Sequence, residues 1–231
     1  MRRTDIDLGH RLVPYQEGRD LQQKVHDAVV AGEAPSTILL LEHEPVYTAG
    51  RRTHSWERPA GDFVEPGHIP VVDVDRGGKV TWHGPGQLTA YPIVHLAKPI
   101  DVIRYVRALE AAVIDLCADF GLEARRVTDR SGVWLPDRHA PAELKKVCAL
   151  GVRVSRSVTM HGIGLNVNPD LEAFSLDRIV PCGISDAGVT SLSEQLDRSL
   201  SVVDLADPLF SALERHLEPL SAQPLSSTSH R

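Results

Sequence analysis

The chain has 231 residues, a hydrophobic fraction of 42% and a net charge of −6, which predicts one large globular domain with its own core. The negative balance argues against nucleic acid as the main partner. No apolar run reaches the roughly 18 residues of a membrane span, and no apolar segment follows Arg2 and Arg3 as it would in a signal peptide. We therefore predict a cytoplasmic protein without a membrane partner.

The N-terminal half is predicted to begin with a helix and continue in strands. Residues 15–31 have helical spacing, and Gly32 is a typical helix stop. Residues 37–41 are uniformly apolar, which predicts a buried strand. Residues 53–68 are polar and rich in proline and glycine, which predicts a mobile loop.

The segment from Arg76 to Pro92 contains four glycines, two prolines, two aromatic residues and a histidine. A hairpin needs one or two such glycines, so the excess predicts a surface where backbone amides approach a ligand. The segment is not a phosphate-binding loop, because it lacks both the P-loop consensus and a glycine fingerprint between a strand and a helix.

The C-terminal half combines a long helix, several strands and two further helices. Residues 101–120 form the clearest amphipathic helix. Its predicted apolar face consists of Val102, Val106, Leu109, Val113 and Leu116. Residues 125–168 have strand patterns broken by glycine and proline. Residues 191–194 match a capping box, and Pro208 must sit in the first turn of the last helix or bend it. No repeat or composition break marks a second domain.

The three cysteines form no CxxC pair, which argues against a disulfide framework or a zinc site. Cys182 lies in a Pro-Cys-Gly sequence, a backbone break that suits an exposed nucleophile or a small residue in a turn. Cys117 falls near the apolar face of a predicted helix and belongs in the core. Cys148 would point to the same side of its strand as Lys146. Lys146 begins an apolar run, so it either reaches solvent or brings its charge into a cleft.

His83 and His161 each precede a glycine. With a cysteine, either residue fits a Cys-His hydrolase; the alternative is a structural histidine held by hydrogen bonds. Neither has a second ligand two to four residues away, so the spacing predicts no metal site.

Five sequence blocks, in family order, resemble the octanoyltransferases of lipoate biosynthesis, also called lipoyl(octanoyl) transferases. The blocks are RGGKVTWHGPGQLTAYPI (76–93), KVCALGVRVSR (146–156), HGIGLNVN (161–168), IVPCGI (179–184) and GVTSLSE (188–194). The resemblance implies an α/β fold like that of lipoate- and biotin-protein ligases: a single domain with a mixed β-sheet flanked by helices. We place this catalytic domain at residues 1–217 and a polar, disordered tail at residues 218–231.

The resemblance implies transfer of an octanoyl group from octanoyl-acyl carrier protein to a lysine of lipoyl domains, the first step of protein lipoylation. The implied acceptors are the lipoyl domains of 2-oxo-acid dehydrogenase complexes and the glycine cleavage H protein. Cys182 matches the nucleophile that carries the acyl group as a thioester, and Lys146 matches its partner. A cation within about 4–6 Å lowers the pKa of a thiol by roughly 1–3 units, and a neutral lysine can later accept a proton from the attacking amine. The resemblance implies no cofactor, and no ATP, because thioester exchange keeps the acyl group activated.

The resemblance also implies an acyl-binding site. Its residues are Arg76, Gly77, Gly78, Lys79, Val80, Thr81, Trp82, His83, Ala149, Leu150, Gly151, Gly162, Ile163 and Gly164. The backbone amides of the glycines there are candidates for oxyanion stabilisation. Acyl carrier protein is strongly acidic, so local clusters of arginine and lysine are expected to form its docking rim.

Three other interpretations stay open at this point. An ATP-dependent lipoate or biotin ligase on the same fold would form an adenylate and need no cysteine nucleophile. A Cys-His hydrolase would release the free acid, and a non-catalytic binder of lipoyl domains would never carry an acyl group.

Overall fold

Two β-sheets organise the protein in a computed structural model that describes residues 1–175, 178 and 188–222. The described strands are β1 (Arg2–Asp5), β2 (Thr37–Leu41), β3 (Val46–Ala49), β4 (Phe63–Val64), β5 (Ile69–Asp73), β6 (Val80–His83), β7 (Gln87–Ile93), β8 (Arg125–Val127), β9 (Arg130–Pro136), β10 (Leu144–Ser155) and β11 (Val158–Asn166). The larger sheet has the order β1-β2-β7-β11-β10-β9-β8, and the smaller has the order β4-β5-β3-β6. Both sheets are mixed, because β1 pairs parallel with β2 and β3 pairs parallel with β5, whereas the other neighbours are antiparallel.

Helices cover both faces of the larger sheet. The described α-helices are α1 (Tyr15–Ala31), α2 (Val102–Asp119), α3 (Leu192–Leu196) and α4 (Val202–Leu217). Helices α2 and α4 pack together over one face, and α1 packs on the other. Strand β2 shows the reason, since Ile38 and Leu40 enter the core on the α2–α4 side while Leu39 and Leu41 enter the core on the α1 side. The predicted fold class, a mixed sheet flanked by helices, is confirmed.

The predicted helices and strands agree best with the structure where the sequence has a clear hydrophobic pattern. Helix α1 and strand β2 have the predicted bounds, and Gly32 ends α1 with φ 76°. The predicted loop at 53–68 contains the short strand β4, which pairs with β5. Pro208 lies inside α4, beyond its first turn, because that helix begins at Val202. None of the helices in the described part of the chain is long and apolar enough to cross a membrane.

The prediction that Val102 belongs to the buried apolar face of α2 is wrong. Val102 is 42% exposed, whereas Tyr105, Leu109 and Val113 are fully buried. Asp101 caps the helix by accepting a hydrogen bond from the backbone N–H of Arg104 at 2.9 Å. The first turn therefore projects beyond the sheet, and the helix meets the core from Tyr105 onward.

Residues 218–222, which follow the predicted end of the catalytic domain at 217, form backbone hydrogen bonds with the rest of the protein. A short 3₁₀ helix spans Glu218–Leu220. The N–H of Ala97 donates to the carbonyl of Leu220 at 2.9 Å, and the N–H of Ala222 donates to the carbonyl of His95 at 2.7 Å. The remaining part of the predicted tail, 223–231, lies outside the described residues.

Gly86 lies in the turn between β6 and β7, and it tests whether the glycine-rich segment needs glycine for close approach to other backbone. It has φ +82°, and a Cβ there would lie 2.2 Å from the carbonyl oxygen of Asn168. Gly121, after α2, has φ +77°, and a Cβ there would have nothing within 4 Å. We expect Gly121→Ala to lower the free energy of unfolding by about 1–2 kcal/mol through left-handed backbone strain alone. Gly86→Ala should lose roughly 1–3 kcal/mol more, because the added methyl overlaps backbone.

Urea denaturation of both variants, followed by circular dichroism, measures this difference. Equal losses in the two variants would contradict the close approach between Gly86 and Asn168.

Candidate functional site

A cavity of about 460 Å³ is lined by residues from both sheets. Among the predicted acyl-site residues and Lys146, those that line it are Arg76, Gly78, Lys79, Thr81, His83, Lys146, Ala149, Leu150, Gly151, Gly162, Ile163 and Gly164. The sequence blocks that lie far apart in the chain therefore meet around one space. Its volume falls within the roughly 300–1,000 Å³ of small-molecule sites.

Three of the predicted acyl-site residues do not line this cavity. Val80 and Trp82 lie on the opposite face of β6 from Thr81 and His83, and they pack in a separate apolar cluster with Tyr47. Strand alternation is the cause, because neighbouring side chains point to opposite faces. Gly77 borders an adjoining groove instead.

Lys146 brings a buried amino group to the cavity. The residue is only 5% exposed, and its Nζ lies 4.7 Å from the ring centroid of Trp134. This is a cation–π contact, which holds an ammonium group over the ring face. Lys79 and Lys145 pair with Glu57 and Asp137. Lys146, in contrast, forms no ion pair within the described part of the chain.

The backbone of Lys146 is tied to the segment that follows the predicted nucleophile. Its N–H donates to the carbonyl of Gly188 at 2.9 Å, and its carbonyl accepts from the N–H of Thr190 at 3.0 Å. Cys182 itself lies outside the described residues. The structure thus fixes Lys146 and the chain from Gly188 onward relative to one another.

The expectation that Cys148 points to the same side as Lys146 is wrong. In the pairing of β10 with β9, Lys146 is opposite Trp134 but Cys148 is opposite Val133, so a β-bulge separates the two. The bulge reverses the alternation, and Cys148 enters the main core. Burial raises the pKa of the Cys148 thiol well above its usual value and that of Cys117 to about 12. Both thiols therefore stay protonated at neutral pH.

His83 is held by a chain of side-chain amides. The Gln87 amide nitrogen donates to Asn166 Oδ1 at 2.9 Å and to the carbonyl of Trp82 at 3.2 Å, so its oxygen faces His83 Nδ1 at 2.7 Å. The proton of a neutral His83 is thereby assigned to Nδ1. Asn166 Nδ2 donates to the carbonyl of Thr190 at 3.1 Å. The hydrogen bonds of His83 are thereby connected to the segment at Gly188 and Thr190 that bonds to the backbone of Lys146.

Burial keeps His83 neutral. It lowers the pKa of the imidazole to about 3, and nearby His43 adds a smaller effect in the same direction. Tyr15 stacks beside His83 with ring centroids 6.4 Å apart, and His43 meets it edge-on at 5.9 Å. One wall of the cavity is therefore aromatic and uncharged at neutral pH.

His161 lies on the same cavity with a different partner. Its Nε2 is 2.8 Å from Asp75 Oδ1, and Asp75 also forms an ion pair with Arg153. Burial lowers the pKa of His161, although Asp75 acts in the opposite direction. Burial is thus the largest influence on the pKa of His161, and Arg153, which shares Asp75, lowers it further by a smaller amount.

Arg76 fixes the glycine-rich segment to the smaller sheet. Its guanidinium donates to the carbonyls of Gly77 and Lys79 at 3.0 and 2.9 Å, and to the carbonyl and hydroxyl of Thr48 at 2.8 and 2.7 Å. A Cβ at Gly151 would lie 2.7 Å from Arg76 Cδ. Gly151 is therefore needed for β10 to pass close to this arginine.

Several lining residues were not predicted as part of the acyl site. They are Tyr15, Arg52, Tyr91, Thr128, Asp129, Arg130, Ser131 and His161. His161 was noticed through its histidine-glycine pair, and Tyr91 lies within the glycine-rich segment. The residues at 128–131 belong to the turn and start of a hairpin, β8 to β9, that the fold carries to the cavity, and no local motif marks them. Within the described ranges, no group of three histidine, cysteine or acidic residues is placed to hold a metal ion.

Comparison with known proteins identifies the family of this chain. The family model described as the lipoyl protein ligase A/B catalytic domain matches residues 14–214. An octanoyltransferase of Thermobifida fusca is 55% identical over 227 residues, covering 97% of this chain and 89% of the relative. An octanoyltransferase of Mycobacterium tuberculosis is 58% identical over 190 residues, covering 82% of this chain and 77% of the relative.

The fold resembles that of a solved lipoate protein ligase. A putative lipoate protein ligase from Thermoplasma acidophilum, with bound lipoic acid, matches with a TM-score of 0.64 at 14% identity, covering 94% of this chain and 85% of that one. The family model and the relatives give the assignment: the chain belongs to the lipoyl protein ligase A/B catalytic-domain family and, within it, to the octanoyltransferases, a family of acyltransferases.

Proposed function

We propose that this enzyme moves an octanoyl group from octanoyl-acyl carrier protein to a lysine of lipoyl domains through a thioester on Cys182. The observation that carries the proposal is the buried amino group of Lys146 on the cavity, with its backbone bonded to Gly188 and Thr190. The other two cysteines support the choice of nucleophile, since both are buried in the main core. The identity of the acyl group, octanoyl, is taken from the relatives, which are named octanoyltransferases.

In the first half-reaction, the Cys182 thiolate attacks the carbonyl carbon of the donor thioester. A bond forms between that carbon and the cysteine sulfur, and the bond to the carrier's sulfur breaks. The Lys146 ammonium stabilises the thiolate before attack and supplies a proton to the departing thiolate. Lys146 is neutral afterwards.

In the second half-reaction, the amine of the acceptor lysine attacks the acyl-enzyme. The carbon–nitrogen bond forms, the cysteine sulfur departs as a thiolate, and Lys146 takes the amine proton. This restores the charged lysine and the thiolate, so the cycle consumes neither ATP nor water. The acceptors we propose are the lipoyl domains of 2-oxo-acid dehydrogenase complexes and the glycine cleavage H protein, in the cytoplasm.

Apolar residues of the cavity give the acyl chain its binding energy. Ala149, Leu150 and Ile163 line it beside the glycines of β10 and β11. Seven carbons follow the carbonyl of an octanoyl group, and at about 0.8 kcal/mol per buried methylene they contribute on the order of 5 kcal/mol. The length of the cavity would then select the chain length.

An ATP-dependent ligase is the nearest rival. The relatives that are 55% and 58% identical are octanoyltransferases, whereas the lipoate protein ligase with the same fold is 14% identical. A fold match at that identity supports the architecture alone. The balance therefore favours transfer from a thioester over adenylate formation.

The acyl-enzyme gives the first prediction. Incubation with octanoyl-acyl carrier protein should add the mass of one octanoyl group to the protein, and peptide mapping should locate it on Cys182. Cys182→Ser should carry no thioester. An adduct on Cys148, or product formed from free octanoate and ATP by the Cys182→Ser variant, would contradict the mechanism.

Lys146 and its neighbour Lys145 provide a matched pair. We expect Lys146→Ala to slow acylation of Cys182 by roughly 10²–10⁴-fold, the usual contribution of a positioned proton-transfer group. Lys145→Ala should change the rate less than threefold, because Lys145 pairs with Asp137 instead of lining the cavity. Single-turnover kinetics measures both rates. Equal rates in the two variants would remove Lys146 from the mechanism.

A Cys-His hydrolase makes a different prediction about His83. Because burial lowers the pKa of His83 to about 3, its neutral form is present at all pH values well above 3 and no activity transition near pH 6.5 should arise from it. We expect His83→Ala to retain measurable acyl-enzyme formation, whereas Cys182→Ala forms none. Release of free octanoate as the main product, with His83→Ala as inactive as Cys182→Ala, would favour the hydrolase instead.

A further inference from the structure

A groove of about 360 Å³ leads from the surface to the cavity. Its outer part is lined by Val102, Ile103 and Val106 of α2, which do not border the cavity. Its inner part shares Leu150, Gly151 and the hairpin residues from Asp129 to Ser131 with the cavity that Lys146 borders. The groove and the cavity thus adjoin, with the start of α2 bordering the groove and Lys146 bordering the cavity.

The outer end of the groove exposes an apolar patch, formed by Ile100, Val102 and Ile103. Their exposed fractions are 39%, 42% and 75%. Three neighbouring large apolar side chains left in water cost hydrophobic free energy, and contiguous patches of this kind mark interaction surfaces. The first turn of α2 projects beyond the sheet and does not contribute to the core, so the fold itself does not require these residues.

Arginines border the same groove as Val102 and Ile103. Arg107 and Arg126 share one buried carboxylate, Glu110, at 2.8 and 3.0 Å, so this trio keeps one net positive charge. Arg52 lines both the groove and the cavity.

Two carboxylates lie nearby, Asp101 at the cap of α2 and Asp129 in the groove. Arg104, on the first turn of α2, is also exposed. Together with Arg52 and the single net charge of the trio, it outweighs these two carboxylates, so the region of the patch is locally positive in a chain whose net charge is −6. That sign favours an acidic partner.

We propose that the apolar patch of Ile100, Val102 and Ile103, with its arginine rim, docks the acidic acyl carrier protein that delivers the donor thioester. The carrier holds its acyl group on a long prosthetic thiol arm, which can follow the groove from the patch to Lys146. A lipoyl domain presents its amine on the four-carbon stem of one lysine, so it must dock nearer to the cavity. This assignment rests on the proposed function and adds the surface that the donor occupies.

Ile103→Asp tests the surface directly, because this residue is the most exposed of the patch. Val203→Asp on α4, where the valine is 51% exposed, is the matched control. We expect Ile103→Asp to weaken binding of the carrier at least tenfold in a titration followed by calorimetry, and to raise its KM in acylation by a similar factor. Acylation by octanoyl-N-acetylcysteamine, a short thioester without the carrier, should stay within twofold of the wild-type rate. Val203→Asp should change neither.

Each alternative outcome has a separate meaning. An equal loss with both thioesters would overturn the proposal, since the patch would then act on the chemistry or the fold. A loss confined to transfer from preformed acyl-enzyme to the lipoyl domain would assign the patch to the acceptor and also overturn it. If the wild-type protein binds the carrier but accepts an acyl group from neither thioester, the proposed function fails, while the effect of Ile103→Asp on binding still tests the docking surface.

Discussion

The site depends on one constraint: the amino group of Lys146 is buried, and it forms no ion pair within the described part of the chain. Burying a charge is costly unless other groups compensate. The face of Trp134 supplies part of that compensation. The cavity leaves the charge accessible to whatever enters. A lysine placed in this way is available to a reacting partner, whereas Lys145 is already neutralised by Asp137.

A β-bulge and a set of hydrogen bonds hold Lys146 in this position. The bulge in β10 turns Cys148 into the core and leaves Lys146 on the cavity side. Gly188 and Thr190 bond to the backbone of Lys146, and Thr190 accepts from Asn166, which in turn accepts from Gln87 beside His83. The cavity walls on both sheets are thereby connected through a continuous chain of hydrogen bonds. Such connected networks hold a site rigid.

Much of the fold could be predicted from sequence because its elements have strong local periodicity. Helix α1, strand β2 and the buried position of Cys117 needed no knowledge of tertiary contacts. Alternation along β6 could also have separated Val80 and Trp82 from the cavity-lining residues. The bulge next to Lys146 could not be predicted, since it depends on how β10 pairs with its neighbouring strand. For the same reason, the hairpin residues at the cavity carried no local signal.

The pH dependence of Cys182 alkylation by iodoacetamide tests most directly whether Lys146 serves that thiol. Cys117 and Cys148 are buried and should react slowly, and Cys182→Ser measures their remaining contribution. A nearby cation favours the thiolate, so the reactive form of Cys182 should appear at a lower pH in the wild-type protein than in Lys146→Met, with Lys145→Met behaving as the wild type. Coincident profiles for the wild type and Lys146→Met would contradict the account.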